Sequence, residues 1–292
     1  MLSNLVQNFT RRYNHVVGMN ERNRKLIYPN NKRKNYPFAD DKLETKKVLE
    51  KHQLGCPKTY AAIGRVGDIT RIWEQKRDVD NLVIKPASGS GGNGILLIRR
   101  REGVWYRGDT AISEENIFSH IANIIFGMYS RGRDDRAILE ELIVPHPALT
   151  VFYKDGIPDI RIITLKGRPV MGMLRLPTRE SDGKANLHQG GIGVGIDLDN
   201  GSLTHAYDGD QYIRQHPDSG ITIAGQQIPM WDEIVTLSRR VSDVFPLGFL
   251  GIDVVLDKFR GPLVLEINVR PGLGIQMANK KGLNAAIQDA SA

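Results

Sequence analysis

Asp253, Glu266 and Asn268 have side chains from which a metal site could be built. Glu266 and Asn268 lie two apart in the apolar run 263–274, so on a strand they would share one face. Asp253 belongs to a second apolar run, 250–257. Two carboxylates and an amide are hard oxygen donors, and Mg²⁺ takes one or two carboxylates and leaves its other positions to water and nucleotide phosphates. These residue types therefore predict a magnesium site that serves a nucleotide.

The two apolar runs must form a hairpin to bring the three donors together. The link 258–262, Lys-Phe-Arg-Gly-Pro, contains glycine and proline, which are typical of a turn between strands. If Asp257 pairs with Pro262, then Asp253 lies directly opposite Glu266. Like charges directly opposite on a strand pair are destabilising, so this arrangement favours a cation between them over a solvated face with ordinary acidic residues.

A glycine-rich loop lies between two further predicted strands in residues 81–98, and Lys85 ends the first strand. Three of its glycines fit the GxGxxG spacing, but the dinucleotide-binding motif opens a helix and this loop opens a strand, which excludes a Rossmann site. The loop could instead fold over phosphates at Ser88, Gly91 and Gly92, with Lys85 supplying a charge. A flexible hairpin tip is the alternative. The chain contains no Walker A motif and neither the His-Arg-Asp nor the Asp-Phe-Gly motif of protein kinases.

A helix is predicted over residues 41–54. Asp41 followed by Glu44 is typical of a capping pattern, and glycine and proline after residue 54 would end the helix. Lys42 in the first turn gains nothing from the helix dipole. We interpret it as directed at a ligand, with a merely exposed lysine as the alternative.

Other predicted helices and strands would form the framework around these candidate site residues. Helices are predicted over 113–128 and 231–245, from apolar residues at helical spacing. A strand over 137–144 could offer backbone groups along its edge to an adenine, with Glu140 or Glu141 nearby.

Two predicted strands, 158–165 and 169–176, carry charged residues that a neutral core would not hold. Asp159 and Arg161 lie on one face of the first strand. Arg270 follows the proposed metal residues by two positions on the same side, where a cation could hold a carboxylate or a transferring phosphoryl group.

Composition sets the broad class of the protein. A length of 292 residues allows one large domain or two small ones, and 40% hydrophobic and 25% charged residues describe an ordinary globular protein. Cys56 is the single cysteine, which excludes an internal disulfide and a cysteine metal cluster. No apolar run approaches the ~20 residues that span a bilayer, and no signal-peptide segment follows Met1, so a cytoplasmic location is expected.

The net charge of +7 belongs to the N-terminal segment. Residues 1–36 contain eight basic residues and one acidic residue, Glu21, which leaves 32 of each sign in the remainder. A basic arm could meet an acidic partner, anionic lipid or nucleic acid. We favour a solvated lead-in wrapped over the domain and do not expect nucleic acid as a partner. A mitochondrial presequence is a weaker alternative, because the segment contains little serine.

The motifs occur in an order that resembles the ATP-grasp enzymes, and most closely their RimK-type group, the α-L-glutamate ligases. The matching positions, between about Phe38 and Gln276, are Lys42, Lys85, 139–143, 159–161, 186–188, 251–253 and 266–268. The resemblance implies an α+β fold in which two subdomains with mixed or antiparallel sheets grip ATP. We expect a basic arm over 1–37 and an ATP-grasp domain over 38–292, with a nucleotide-binding subdomain at 81–143 and a metal-binding subdomain at 144–292.

The resemblance also implies a role for each matching residue. Lys42 and Lys85 would bind phosphates, Glu141 and Leu142 would meet the adenine, Asp159 would reach the ribose, and Lys184, Asn186 and His188 would contact the nucleotide. Asp253, Glu266 and Asn268 would hold Mg²⁺, or Mn²⁺ in its place. Independently of the resemblance, Asn186 and His188 precede a glycine-rich run, which suggests a second lid segment over the site, with an ordinary surface position as the alternative for His188.

The implied reaction is the joining of a carboxylate to an amine. ATP phosphorylates the carboxylate, and the amine attacks the resulting acyl phosphate to form an amide or peptide bond. Arg161, Arg175 and Arg270 are candidates to hold the acyl phosphate. A glutamate or another amino acid would be added to a peptide, a protein or a small molecule.

Two features depart from the RimK-type pattern. Those ligases usually carry a whole domain ahead of the ATP-binding region, where this chain has the basic arm, so the site for the carboxylate partner is expected to be altered, truncated or supplied by another protein. Arg270 also stands where RimK enzymes often have serine. A nucleotide-binding regulatory or scaffold protein without turnover and a phosphotransferase are the two alternative functions.

Overall fold

The structure is a computed structural model that describes residues 16–76, 78–89 and 91–291. Residues 1–15, the first part of the predicted basic arm, lie outside the described residues. The α-helices are α1 Met19–Glu21, α2 Tyr28–Asn30, α3 Pro37–Asp40, α4 Lys42–Lys51, α5 Ile69–Glu74, α6 Glu114–Ile125, α7 Pro147–Thr150, α8 Trp231–Val244, α9 Ile275–Ala278 and α10 Leu283–Asp289. A π-helix, Arg22–Ile27, joins α1 to α2, and short 3₁₀ turns occur at Arg33–Asn35, Val66–Asp68 and Leu187–Gln189.

The strands form two antiparallel sheets, which together with the helices confirm the α+β class. They are β1 Thr59–Ile63, β2 Asn81–Pro86, β3 Leu96–Arg101, β4 Val104–Arg107, β5 Thr110–Ala111, β6 Ala137–Glu141, β7 Asp159–Leu165, β8 Arg168–Leu176, β9 Ile192–Ile196, β10 Leu203–Tyr207, β11 Tyr212–Ile213, β12 Phe249–Asp257 and β13 Gly261–Asn268. Each sheet belongs to one of two compact units. Unit 1 contains the described residues of 1–40, 47–55 and 144–292, and unit 2 contains those of 41–46 and 56–143.

Unit 2 has six strands in the order β1-β6-β2-β3-β4-β5. Helix α6 begins as predicted, because the Ser113 side chain caps it by accepting a hydrogen bond from the Asn116 backbone N–H at 3.2 Å. Ile117, Ile121 and Ile124 recur at helical spacing and are fully buried in a core shared with β2 and β6. Strand β6 lies inside this sheet, so the predicted free edge along residues 137–141 is wrong.

Unit 1 has seven strands in the order β11-β10-β9-β8-β7-β12-β13. Apolar and charged side chains alternate along β7 and distinguish the two faces of the sheet. Ile160 and Ile162 are fully buried, and the hydroxyl of Thr164 lies 3.0 Å from that of Ser242 on α8, so this face packs on the helix. Asp159 and Arg161 lie on the opposite face, as predicted.

The register of the β12–β13 hairpin differs from the prediction at the turn. Asp257 pairs with Gly261, not with Pro262, and Leu256 takes the place opposite Pro262. A bulge between Asp253 and Val254 then shifts the register by one residue. Asp253 consequently pairs with Glu266, which confirms the predicted opposition of the two carboxylates.

The glycine-rich run after His188 is not a lid. Residues 192–196 form the buried strand β9 between β8 and β10. A Cβ atom on Gly195 would lie 2.5 Å from the carbonyl oxygen of Ala278 and 2.6 Å from the Thr204 hydroxyl. Glycine therefore lets α9 approach the strand closely.

Residues 16–36 are packed against the rest of unit 1, so this part of the arm is wrapped over the domain as predicted, although buried residues anchor it and it is not fully solvated. Asn31 exchanges two hydrogen bonds with the backbone of Phe249, at 2.7 and 2.9 Å. The side chain of Gln276 likewise accepts from the N–H of Val17 at 2.8 Å and donates to its carbonyl at 3.0 Å. Val17 and Ile27 are each 1% exposed. Among the described residues, the helices are all too short or too polar to cross a membrane.

Candidate active site

A row of charged residues crosses four neighbouring strands of the unit 1 sheet, β8, β7, β12 and β13. On β12, Asp253 lies opposite Glu266 of β13 on one side and opposite Arg161 of β7 on the other. Two residues before Arg161, Asp159 pairs with Arg175 of β8. Strand order and register therefore bring together five residues that are widely separated in the sequence.

Two arginines neutralise the buried carboxylate of Asp253. Arg161 donates Nε to Oδ1 at 2.7 Å and Nη2 to Oδ2 at 2.6 Å. Arg175 donates Nη2 to the same Oδ2 at 2.7 Å and also binds Asp159 through two hydrogen bonds, at 2.5 and 2.6 Å. Bidentate guanidinium contacts of this kind fix both the position and the charge of a carboxylate.

The same contacts set the pKa values of the two aspartates in opposite directions. Burial raises the pKa of Asp253, but the positive charges of Arg161 and Arg175 more than offset it, and the pKa lies well below its ordinary value. Burial raises the pKa of Asp159 above its ordinary value, and the charge of Asp253 adds to this effect, although Arg175 opposes it. The pKa of Arg175 is raised despite its burial, because both carboxylates stabilise its charge. We therefore describe Asp253 as an ionised carboxylate.

The donor set at Asp253, Glu266 and Asn268 fits a hard divalent cation. Asn268 donates Nδ2 to Asp253 Oδ2 and to Glu266 Oε1, each at 3.3 Å, so a donor bridges the two carboxylates as a cation would. Asp253 is fully buried and Glu266 is partly exposed. The described residues contain no group of three or more His, Cys, Asp or Glu side chains that could hold a metal. A cation here would thus also need Asn268 and oxygens from water or a phosphate.

Arg270 does not continue the charged row. Strand β13 ends at Asn268, and the exposed guanidinium of Arg270 lies over the ring of Tyr36, 4.8 Å from its centroid. The expectation that Arg270 lies on the same strand face is therefore wrong, because the strand does not extend that far. The loop nevertheless returns to the row, since a Cβ atom on Gly272 would lie 3.8 Å from Arg161 Nη1.

In unit 2, Lys85 lies at a buried carboxylate. Its ammonium forms an ion pair with Glu140 Oε1, and Lys46 Nζ lies 2.7 Å from Glu140 Oε2, an ion pair without hydrogen-bond geometry. The three side chains are each at most 6% exposed. Burial raises the pKa of Glu140, but the two lysines more than offset this and lower the pKa below its ordinary value.

The base of the glycine loop is held by Asp135 and Lys42. Asp135 accepts hydrogen bonds from the Ser88 backbone N–H, at 3.0 and 3.1 Å, and from the Ser130 hydroxyl. Lys42 donates Nζ to the Gly89 carbonyl at 2.6 Å, which places its ammonium group at the loop. Gly91 and Gly92 have φ values of 68° and 75°, which favour glycine.

The other predicted nucleotide contacts lie at element ends. Glu141 is the last residue of β6, its side chain accepts from the Lys58 N–H at 3.1 Å, and Leu142 follows it, partly exposed. The Asn186 side chain caps the 3₁₀ turn by accepting from the His188 N–H at 3.1 Å, and His188 is exposed. Lys184 Nζ lies 4.0 Å from Asp182. Asn186 therefore has a local structural role beside its predicted one.

Sequence reasoning missed Lys46 and Asp135. Lys46 lies four residues after Lys42, on the same side of α4, and this spacing could have indicated a second inward lysine. Asp135 lies in a polar loop, and its contact with residue 88 spans 47 positions, so no local pattern could have revealed it.

The comparisons with known proteins agree with this geometry. The profile of the sugar-transfer associated ATP-grasp family matches residues 21–291. The chain belongs to this ATP-grasp family. The protein is 25% identical over 236 residues to a probable α-L-glutamate ligase of Maridesulfovibrio salexigens, covering 80% of this chain and 56% of that protein. A second probable α-L-glutamate ligase, from Rhodopirellula baltica, is 23% identical over 256 residues, covering 85% of this chain and 46% of that protein.

A solved structure shares the fold of this ATP-grasp protein. The RimK domain ATP-grasp protein of Sphaerobacter thermophilus is similar with a TM-score of 0.50 and 13% identity, covering 89% of this chain and 70% of that chain. This confirms the predicted ATP-grasp fold. The chain spans about half the length of the two curated relatives that it matches.

Proposed function

We propose that this ATP-grasp protein is an ATP-dependent carboxylate–amine ligase that works through an acyl phosphate. The observation that carries the proposal is the charged row on the unit 1 sheet. There, a buried aspartate and a partly exposed glutamate lie opposite each other, with the Arg161 guanidinium beside them. Such a surface suits phosphoryl transfer, in which catalysis consists mainly of positioning and charge neutralisation.

The reaction has two steps. In the first, a carboxylate oxygen attacks the γ-phosphorus of ATP, the bond to the bridging oxygen breaks, and ADP leaves. In the second, an amine attacks the acyl carbon, the carbon–oxygen bond to phosphate breaks, and the amine loses a proton. An amide and inorganic phosphate are the products.

The residues of the chain divide between the two substrates. Lys42, Lys85 and the loop residues Ser88, Gly91 and Gly92 are assigned to the phosphates, Glu141 and Leu142 to the adenine, and Asp159, Lys184, Asn186 and His188 to the rest of the nucleotide. Asp253, Glu266 and Asn268 would hold Mg²⁺ or Mn²⁺, which supplies charge neutralisation at the phosphate oxygens. Arg161, Arg175 and Arg270 are assigned to the acyl phosphate. We retain as part of this proposal a nucleotide-binding subdomain at 81–143 and a metal-binding subdomain at 144–292, with Lys42 and four residues of the second subdomain also contacting the nucleotide.

The relatives support a substrate class for the proposed ligase. Similarity to α-L-glutamate ligases over 80% of this chain supports the addition of glutamate or another amino acid to a peptide, protein or small molecule. A cytoplasmic location accompanies this proposal, because ATP and free amino acids are abundant there.

One observation favours a second candidate, a nucleotide-binding regulatory or scaffold protein without turnover. The guanidinium groups of Arg161 and Arg175 are both engaged by carboxylates of the chain itself. If these ion pairs persist when nucleotide binds, neither arginine can hold an acyl phosphate.

The test is Mg²⁺-dependent release of ADP and phosphate by the purified full chain, supplied with the twenty amino acids singly and in pairs. Stimulation by particular acids, with an amide product identified by mass spectrometry, would establish the ligase. ATP binding without turnover under any acceptor would instead support the regulatory candidate. Phosphate retained on the product would indicate a phosphotransferase.

Glu266→Gln provides the decisive variant. It removes a charge from a partly exposed site and not from a packed core, so we expect folding to be retained and Mg²⁺-dependent turnover to fall by at least ~100-fold. Glu233→Gln, on the exposed side of α8, makes the same chemical change away from the site and should leave turnover unchanged. Full activity of Glu266→Gln would exclude the metal assignment.

A further inference from the structure

A small pocket lies in unit 1 where the N-terminal segment meets the loop after β13. Its volume is about 420 Å³. Seven of its eight lining residues belong to the range 23–36, and the eighth is Arg270. This volume is in the range of small-molecule sites.

The pocket is lined by cations and contains no acidic residue. Lys32, Arg33 and Arg270 contribute positive charges. Arg22 lies next to it, with 9% exposure, and donates Nη1 to the Pro271 carbonyl at 2.9 Å. Burial, and to a smaller extent the nearby charge of Arg270, lower the pKa of Arg22 below its ordinary value. Cations assembled without a carboxylate partner favour an anion.

Aromatic and amide groups complete the lining. Tyr36 is 8% exposed and holds the Arg270 guanidinium over its ring, while Tyr28, which also lines the pocket, is 66% exposed. The backbone N–H of Tyr28 donates to the carbonyl of Asn23 five residues earlier, which is the bond of a π-helix. This turn places Asn23 and Ile27 on the pocket side, and π-helical turns occur frequently at functional sites.

The pocket has a fixed frame. The reciprocal hydrogen bonds of Asn31 with Phe249 and the contact of Arg22 with Pro271 tie its wall to unit 1. Arg270 follows the proposed metal ligand Asn268 by two residues, and the same loop approaches Arg161 at Gly272. One loop of unit 1 therefore contacts both the pocket and the charged row.

We propose that this pocket binds the acid substrate of the ligase, and that the acid carries at least two negative groups. Arg270 holds the carboxylate that is to be phosphorylated, and Lys32 and Arg33 hold the second negative group, a carboxylate or a phosphate. The identification of the ligand as a substrate rests on the proposed ligase function. Residues 23–36 would thus supply, within this chain, part of the site for the carboxylate partner.

Binding is tested by isothermal titration calorimetry on the full chain, at low salt, with and without Mg²⁺-ADP. Glutarate and 3-phosphoglycerate, called dianions because each carries two negative groups, probe a carboxylate and a phosphate as the second group. Acetate and glutaramide are the singly charged and neutral controls. The test variant is Lys32→Gln with Arg33→Gln. The matched control is Arg24→Gln with Lys34→Gln, which removes the same charge from exposed positions that do not line the pocket.

We expect one dianion to bind with 1:1 stoichiometry and more tightly than acetate. The test variant should weaken this binding about tenfold or more, and the control variant less than about twofold, since charge-assisted hydrogen bonds depend on direct contact. Equal binding by both variants, or no binding of either dianion under either condition, would overturn the proposal.

Turnover separates this inference from the ligase proposal. With an active acid substrate, the test variant should raise KM about tenfold and reduce kcat much less, whereas Glu266→Gln removes turnover itself. Turnover with an unchanged KM in the test variant would overturn the pocket assignment and leave the ligase standing. Dianion binding at the pocket without turnover for any acid would overturn the ligase and, with it, the substrate role of the pocket.

Discussion

Glu140 is buried between two lysines of unit 2, and its charge contributes to stability in a way that depends on pH. Its pKa lies below its ordinary value of 4.5, so the ionised form is favoured by folding. The stabilisation is complete above the unfolded-state value and is lost as the pH falls through the lower folded-state value. Replacing Glu140 also leaves Lys46 and Lys85 buried without their counter-charge.

We therefore expect Glu140→Gln to reduce the free energy of unfolding by about 3–5 kcal/mol at pH 7. The difference from the wild type should shrink below pH 4.5, because protonated Glu140 resembles glutamine in charge. Urea unfolding of both proteins across this pH range measures it. A difference that stays constant down to pH 2 would contradict the buried ion pairs.

Lys46 provides a matched control for a test of the nucleotide role of Lys85. Lys85→Ala and Lys46→Ala each remove one partner of the same buried carboxylate, so both should destabilise unit 2. Lys85 is assigned to phosphates and Lys46 is not. We expect ATP affinity to fall about tenfold more in Lys85→Ala than in Lys46→Ala, since a phosphate contact is lost.

ATP titration at a temperature where both variants are folded measures the difference. Equal affinities would mean that Lys85 acts only through Glu140. Lys85 would then no longer support the assignment of the glycine loop to the phosphates.

At the level of elements, the packing of α9 on β9 depends on the absence of a side chain at Gly195. The Cβ atom of Gly195→Ala would lie 2.5 Å from the Ala278 backbone oxygen, which cannot move without moving the helix. We expect a loss of about 1–3 kcal/mol in the free energy of unfolding, from overpacking. Gly67→Ala, where nothing lies within 4 Å of the added carbon, is the control and should change stability by less than about 0.5 kcal/mol.

Thermal or denaturant unfolding of the two variants provides the measurement. If Gly195→Ala is as stable as the control, α9 can shift away from β9. The interpretation of the glycine-rich run as a closely packed strand would then need revision.

At the level of the whole molecule, each of the two units contains its own sheet and its own core. Ile121 is fully buried in unit 2, and Ile121→Ala should cost about 2–5 kcal/mol. We expect hydrogen exchange to show lost protection first in β2 and β6, which share this core, with β7 and β12 of unit 1 retaining theirs. Phe126→Ala, at a side chain that is 69% exposed, is the control.

Equal loss of protection in both sheets would show that the chain unfolds as one cooperative unit. In that case the division into two compact units describes contacts only. The stability effects of single substitutions would then be shared by the whole chain.

The sequence determined the features that depend on local spacing. Glu266 and Asn268 share a face because strand side chains alternate, and the loop after Lys85 could be recognised because glycines between two apolar runs indicate a strand–loop–strand. The order of the motifs was enough to indicate the ATP-grasp fold. Each of these inferences needed only residues close together in the chain, or their sequence order.

Tertiary structure alone decided which arginines meet the buried carboxylate of Asp253. Arg161 and Arg175 reach Asp253 because β7 lies between β12 and β8, and strand order is a non-local property. The bulge that keeps Asp253 opposite Glu266 shifts the register by one residue, which no local pattern near the turn reveals. The docking of residues 16–36 depends on partners such as Phe249 and Gln276, more than 200 positions away. Side-chain types were thus readable from the sequence, whereas their burial and partners followed only from long-range packing.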